Sequence, residues 1–366
     1  MASLYRTHRP KTLSDLVGQD QVSAVLRNAA SQGNLGHAYL FAGPRGTGKT
    51  TTARILAKLL VCRKREEDPK FALTGEACNE CDRCLAVDNS SLLDVVEIDA
   101  ASNRGIDEIR ELRERIRAVP TQAPKKVYII DEAHMLTSQA WNALLKTLEE
   151  PPAHGVIVLA TTDYDKLPTT ITSRTQRFTF RKPTKASLIE KLDSVAKQEK
   201  IAIEPDALEL IAAASGGSFR DAESLLEQAR GVEAPITLDK LEYLFGRAGS
   251  SRVHNLADAL VRKDAATALT ILKEADNAGA NITDLTRQLV HYLRRATAIA
   301  TDAKLVDLYR EEMTADELTS LLKLAGVLTP DRGVALTRAF LDAFRELRTS
   351  PIETVPLEIA IVETTR

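Results

Sequence analysis

The sequence predicts an α/β protein, a mainly parallel sheet with helices on both faces, followed by two regions that are helical throughout. Three observations carry this. Short runs rich in β-branched residues alternate with helical stretches up to about residue 180. A glycine-rich loop joins the first of these runs to a helix. Beyond residue 184 the apolar residues recur only with helical spacing.

Taken in order, the first strand is 39–42 and the helix after the glycine loop is 51–60. Further strands are 95–99, 127–131 and 156–161, with 178–180 as a last candidate. Helices 106–119 and 139–149 fall between them. Residues 181–184, Arg-Lys-Pro-Thr, read as a linker. Four helices follow, at 185–199, 205–214, 218–231 and 238–245. From 250 to 366 the chain is rich in Ala, Leu and Arg, and Leu256, Leu260, Leu269 and Leu272 fit helical faces. The expected domains are therefore 1–180, 181–245 and 246–366.

Length and composition set the bounds. At 366 residues the chain has room for two or three domains. Its 44% hydrophobic and 27% charged residues are an ordinary globular balance, while 4% aromatics favour aliphatic, helix-rich packing. The net charge of −2 excludes a strongly basic nucleic-acid binder, so any such contact must rest on local geometry. No apolar run reaches the length of a membrane span, and the first residues lack a secretory apolar core. The chain reads as soluble and cytoplasmic, with no membrane partner.

The segment Gly43-Pro44-Arg45-Gly46-Thr47-Gly48-Lys49-Thr50 fits G-x-x-x-x-G-K-[ST], the phosphate-binding P-loop. A glycine loop between strand and helix turns backbone N–H groups and a helix N-terminus toward phosphates. Lys49 reaches the β- and γ-phosphates in such a loop, and the Thr50 hydroxyl ligates Mg²⁺. The run 127–130 ends in Asp131 and Glu132, a Walker B pattern. Asp131 is placed to hold Mg²⁺, and Glu132 to polarise a water for attack on the γ-phosphate. Asp131-Glu132-Ala133-His134 also spells the DEAH label of some helicases, but the helical remainder offers no second motor domain, so His134 reads as a local structural residue.

Three further positions are open on the residues alone. Thr161 and Thr162 end a buried strand, either as caps or as a γ-phosphate sensor. Arg174, in Ser173-Arg174-Thr175, is either a surface arginine paired with a carboxylate or a finger for a neighbouring subunit's γ-phosphate. Arg220 opens a helix, where the dipole disfavours a cation unless a phosphate is near.

All four cysteines, Cys62, Cys78, Cys81 and Cys84, fall within 23 consecutive residues, three of them in a C-x-x-C-x-x-C run. Four thiolates are a complete tetrahedral set for a structural Zn²⁺. The intervening segment is polar and has little else to order it. Two disulfides suit the wrong redox compartment, and an iron–sulfur cluster is the other use of four thiolates.

Together the P-loop, Walker B glutamate, threonine, Ser-Arg pair and Gly-x-x-Arg helix resemble the AAA+ ATPases. More closely, the chain is similar to the motor subunits of the bacterial DNA polymerase III clamp loader, the gamma/tau family. The residues that carry this are Tyr5-Arg6-Thr7-His8-Arg9-Pro10, Leu16-Val17-Gly18-Gln19, the four cysteines, Asn142 to Pro152, and Gly217-Ser218-Phe219-Arg220-Asp221-Ala222. The resemblance implies an AAA+ P-loop ATPase domain with a zinc insertion at 62–84, a helical lid and an all-α oligomerising collar. It implies ATP, Mg²⁺ and Zn²⁺ as cofactors. It puts Arg9, Pro10, Val17 and Gly18 near adenine and ribose, and Thr51 beside Thr50 in the nucleotide site. It implies a threonine sensor, Thr161 or Thr162, with Thr162 the candidate site residue, and makes Arg174 a finger acting in trans and Arg220 a cis contact to the γ-phosphate. The family motif is Ser-Arg-Cys, and Thr175 stands here in place of the cysteine.

The implied partners are delta- and delta-prime-type subunits with further copies of this chain in a hetero-pentamer, a sliding clamp, and primer–template DNA. Two expected helix starts suit DNA phosphates, Ser102-Asn103-Arg104 and Thr137-Ser138, with charge from Arg104 and Lys146. Simple N-capping is the alternative use of these hydroxyls. The rival functions are another AAA+ DNA-remodelling motor, and a scaffold that binds nucleotide without hydrolysis.

Overall fold

The computed structural model describes residues 3–366 apart from Arg104, 246–249, 311, 312, 314 and 348. Within these, two compact units are distinguished. One comprises Met1–Lys191 and Ser215–Ser224, the other Leu192–Ala214 and Leu225–Arg366.

The first unit is built on five parallel strands: β1 (Ala38–Ala42), β2 (Val95–Asp99), β3 (Lys126–Asp131), β4 (Gly155–Thr161) and β5 (Gln176–Thr179). Their spatial order is β2-β3-β4-β1-β5. Tyr39 pairs with Val158, and Asp99 with Asp131, so β2 and β3 end level with each other. The central strands β1 and β4 are buried at every position, as a sheet covered on both faces requires.

Side chains alternate strictly across the sheet. Tyr39, Phe41, Val127, Ile129, Val156 and Val158 point to one face, packed with Ile55, Leu56 and Leu59 of the helix Lys49–Val61. Leu40, Tyr128, Ile130, Ile157 and Leu159 point to the other. There they meet Ile109, Leu112 and Ile116 of the helix Ile106–Arg117, and Trp141, Leu144 and Leu148 of Ser138–Glu149. The last of these helices is started by Thr137, whose Oγ1 accepts from Ala140 N at 3.2 Å.

Most boundaries differ from the sequence reading by a residue or two, and the helices Asp20–Ser31 and Asp82–Asp88 are absent from it. Two of the shifts lie at or beside the ends of the strands. The helix after the glycine loop begins at Lys49, so Lys49 and Thr50 sit in its first turn. The last strand is shifted upstream to Gln176–Thr179; Phe180 lies beyond it, although its N–H still donates to Ala42 O at 2.7 Å.

The second unit is helical. Its main core gathers Leu256, Leu260, Leu272, Leu289, Leu293 and Phe340, with Leu269 only partly buried against it. The contributing helices include Ser250–Val261, Ala265–Asn277, Ile282–Thr301, Pro330–Glu346 and Val355–Thr365. Asp264 and Asn281 cap two of them through Thr267 N and Asp284 N. Among the described residues, no helix is long and apolar enough to cross a membrane.

Candidate functional site

The C-terminal ends of β1 and β3 open onto one cleft in the first unit, where parallel sheets of this kind place ligands. After β1 the chain turns through the glycine loop. At Gly46, φ is +71° and a Cβ would come within 1.9 Å of Ser218 Oγ, so no larger residue fits. Phe219 N donates to Gly46 O at 3.0 Å, fixing the loop against the start of the helix Phe219–Ala229. Gln19 joins Thr47 O (3.4 Å) to Arg181 O (2.8 Å) through its side-chain amide.

Lys49 is buried, and its Nζ donates to Gly43 O and Pro44 O at 2.9 and 2.8 Å. Burial lowers its pKa, against the opposing pull of the Glu132 and Asp131 carboxylates. Thr50 Oγ1 donates to Asp131 Oδ2 at 2.7 Å. This brings together a hydroxyl and a carboxylate, the oxygen donors that Mg²⁺ takes beside substrate phosphates.

Asp131 Oδ1 accepts from Glu132 N at 2.9 Å. Glu132 itself stands in the left-handed region, φ +47° and ψ +43°. Such a conformation costs a non-glycine residue about 1–3 kcal/mol and is held by its surroundings. Here the backbone is bonded at both ends, Glu132 N to Asp131 Oδ1 and Met135 N to Glu132 O at 2.9 Å. Thr162 holds the carboxylate: Oγ1 donates to Glu132 Oε2 at 2.8 Å, and N donates to the same oxygen at 3.3 Å. His134 Nδ1 lies 3.5 Å from that oxygen and 3.0 Å from Thr161 Oγ1. Thr161 is fully buried and turned toward His134 and Asp163 O. Thr161 is the last residue of β4 and Thr162 lies in the bend just beyond it, with its hydroxyl on the glutamate.

The four cysteines converge where the P-loop helix ends. Cys62 follows Val61 directly, and the four Sγ atoms all lie within 4.8 Å of one another, with no disulfide. Four sulfurs at about 2.3 Å from one ion would be about 3.8 Å apart, so the set fits a tetrahedral metal after a small contraction. Backbone N–H groups point at the sulfurs: Cys78 N to Cys62 Sγ, Cys81 N to Cys78 Sγ and Cys84 N to Cys81 Sγ, at 3.5, 3.3 and 3.5 Å. The Cys84 thiol donating to Cys62 holds the latter well below an ordinary thiol, at about 4, while Cys84 itself is raised. The buried Lys58 of the P-loop helix reaches Asn79 Oδ1 (2.5 Å) and Asp88 (3.1 Å), and Arg65 donates to the carbonyls of Ala30, Leu59, Ala72 and Glu76.

Comparison with known proteins is decisive at this point. Residues 18–184 match the family described as DNA polymerase III, delta subunit. Residues 187–230 match the DNA polymerase III clamp loader subunit ATPase lid domain, and 236–366 match DNA polymerase III subunits gamma and tau domain III. The chain is 42% identical over 293 residues to the DNA polymerase III subunit tau of Bacillus subtilis, covering 80% of this chain and 51% of that protein. With the tau subunit of Escherichia coli it shares 34% over 360 residues, 98% of this chain and 54% of that one. The chain belongs to the DNA polymerase III gamma/tau family. It spans about half the length of the curated relatives it matches. Among solved structures it is similar to the Thermotoga maritima RuvB Holliday junction branch migration motor, at 20% identity, TM-score 0.48, 70% of this chain and 78% of that one.

In this gamma/tau chain the cleft is lined by Arg9, Pro10, Val17, Arg45 to Thr51, Asp131, Glu132 and Arg220, all expected from the sequence. Gly18, Gly43, Pro44, Thr162 and Arg174 are not part of that lining. Gly43 and Pro44 act through their carbonyls on Lys49, and Thr162 through Glu132. Sequence reasoning missed Tyr5, Asp15, Leu16, Gln19, Lys191, Phe219 and Glu223 in the same lining. Tyr5, Leu16, Gln19 and Phe219 stood within the matching motifs without a role. Arg220 stacks over the Tyr5 ring, 4.9 Å from its centroid.

Arg174 pairs with Glu149 Oε1 at 2.8 Å and donates to Thr170 O. Of the positions expected to meet DNA, Ser102, Thr137, Ser138 and Lys146 are exposed, and Arg104 lies outside the described residues. Thr137 is engaged as a helix cap, the alternative use foreseen for it. Ser102 is not a cap: its Oγ lies 3.4 Å from Asp99 Oδ2, and the following helix starts at Ile106.

Proposed function

We propose that this chain is the ATP-hydrolysing motor subunit of a DNA polymerase III clamp loader, which places a sliding clamp on primed DNA during replication in the cytoplasm. The observation that carries this is the convergence of Lys49, the Thr50–Asp131 pair, Glu132 and Arg220 in one cleft of a gamma/tau chain. The parts 1–180, 181–245 and 246–366 act as ATPase domain, lid and oligomerising collar, in a hetero-pentamer with delta- and delta-prime-type subunits.

The reaction is attack of water on the γ-phosphorus of ATP, with cleavage of the bond to the ADP oxygen. Thr50 and Asp131 would hold Mg²⁺, which neutralises charge on the phosphate oxygens. Glu132 orients the water, and Thr162 keeps its carboxylate in place. Lys49 and Arg220 stabilise charge on the transferring phosphoryl group from within the chain. Arg174, turned to Glu149 and away from the cleft of its own chain, serves the neighbouring subunit. Cys62, Cys78, Cys81 and Cys84 would hold a Zn²⁺ whose role is structural, four thiolates being a complete ligand set. Ser102, Arg104, Thr137, Ser138 and Lys146 are the proposed contacts to the DNA backbone.

The test is ATP turnover by the complex reconstituted with its partner subunits. Clamp together with primed DNA is expected to raise the rate above either alone. Turnover indifferent to the clamp would sink the clamp-loader reading in favour of another DNA-remodelling motor. ATP binding without turnover in any assembly would leave a scaffold.

A further inference from the structure

Four carboxylates line the nucleotide cleft, and three have evident work. Asp131 is bonded to Thr50, Glu132 is held by Thr162, and Asp15 closes its own turn through Lys11 N and Thr12 N. The fourth, Glu223, is different. Only 6% of its side chain is exposed, and its nearest cation, Lys191 Nζ, is 3.7 Å away, outside hydrogen-bond reach. A buried carboxylate has about four acceptor positions, and leaving them empty is costly. Burial pushes Glu223 up to about 7 despite the pull of Lys191 and Arg9. Lys191 is itself anchored, donating to His8 O at 2.8 Å.

The place of Glu223 along its helix indicates what it faces. The P-loop abuts the start of that helix, through Phe219 N on Gly46 O and Ser218 against Gly46. Arg220 belongs to that phosphate end. Glu223 lies three residues on, on the same face and about 4.5 Å further along the axis. Pro10, Leu16 and Val17 give the rest of the cleft an apolar wall. A carboxylate beside the phosphates with neither metal nor water to bind would be repelled, whereas one beside the nucleoside gains a donor.

We propose that the Glu223 carboxylate, braced by Lys191, accepts a hydrogen bond from the nucleoside of the bound nucleotide and so sets nucleotide selectivity. The donor is a ribose hydroxyl or the exocyclic amino group of the base. This rests on the reading of the cleft as an ATP site. Sites built to bond a donor reject analogues that lack it, because the buried acceptor is then left unpaired.

The experiment is calorimetric titration of the full chain, in a Glu132→Gln background that preserves the nucleotide. The ligands are ATP, 2′-deoxy-ATP, 3′-deoxy-ATP and purine riboside triphosphate. One analogue is expected to bind about tenfold or more weaker than ATP, which identifies the donor. Removing Glu223 alone would strand Lys191, so the informative variant is Lys191→Met/Glu223→Leu, which replaces the pair by apolar groups. In it the gap closes to about one, through loss of ATP affinity rather than gain of analogue affinity. If all four ligands weaken in parallel, or the parent chain distinguishes none, the inference is overturned and the pair is only a brace. Failure of the parent chain to bind ATP at all would instead refute the nucleotide reading itself.

Discussion

Replacing Thr162 by valine tests the hydrolytic geometry most directly. The substitution keeps shape and removes one hydroxyl, the group that donates to Glu132 Oε2 at 2.8 Å. A hydrogen bond to a charged acceptor contributes about 1.5–3 kcal/mol. The Thr162 N–H remains 3.3 Å from the same oxygen, which argues for the lower end, about 1.5 kcal/mol. At 1.36 kcal/mol per decade, turnover should fall about tenfold. Thr162 lies outside the cleft lining, so KM for ATP should stay within about twofold. The assay is steady-state ATP hydrolysis by the assembled complex, with kcat and KM resolved, and Thr162→Ser should restore the rate. Unchanged kcat, or a raised KM with kcat intact, would refute the reasoning. Thr161→Val should act instead on stability, since that hydroxyl is buried against His134 and Asp163.

Three other outcomes are expected. Arg174→Ala should leave ATP affinity of the lone chain unchanged and reduce turnover of the complex by about a thousandfold or more. Weakened ATP binding in the lone chain would contradict a role in trans. Metal analysis of the purified chain should find one zinc per chain, and a chelator should lower its unfolding midpoint; a metal-free chain insensitive to chelators would remove the structural site. Asp94 is 1% exposed and accepts from the N–H groups of Thr121, Gln122 and Ala123. Burial raises its pKa, but these bonds outweigh it and hold the carboxyl below its ordinary value. The unfolded chain then binds more protons, so the contribution is full above pH about 4 and is lost as pH falls through the lower folded value. Asp94→Asn should cost about 2 kcal/mol at neutral pH. Urea unfolding followed by Trp141, the only tryptophan, should show that cost narrowing below pH 4; a gap independent of pH would count against it.

The parallel sheet was legible because its central strands β1, β3 and β4 are short apolar runs, buried at all or nearly all positions. Strand order was not, since it depends on which runs lie side by side, and sequence distance says little about that. The P-loop and the cysteines were legible as local spacings. Thr162 could not be separated from Thr161 before the end of β4 and the partner of each hydroxyl were known. Glu132 as a left-handed residue was also invisible, because nothing in its neighbours' composition demands that conformation. The Lys191–Glu223 pair joins positions 32 residues apart, and only the three-residue step from Arg220 to Glu223 hinted at it.

The connection from β1 to β2 passes over β4 and β3, three strand positions or about 14 Å, the widest step in the sheet. The cysteine cluster sits inside that step. Doubling a flexible loop adds only about 0.6 kcal/mol to its closure, so a wide step can carry a long insertion at small entropic cost. The segment is an insertion in that sense, carried between two strands that are not neighbours. It is not a loose appendage, however, because Lys58 and Arg65 rivet it to the body of the unit. The cysteine cluster is thereby joined to the cleft by one helix, whose last residue precedes Cys62 and whose first residue is Lys49.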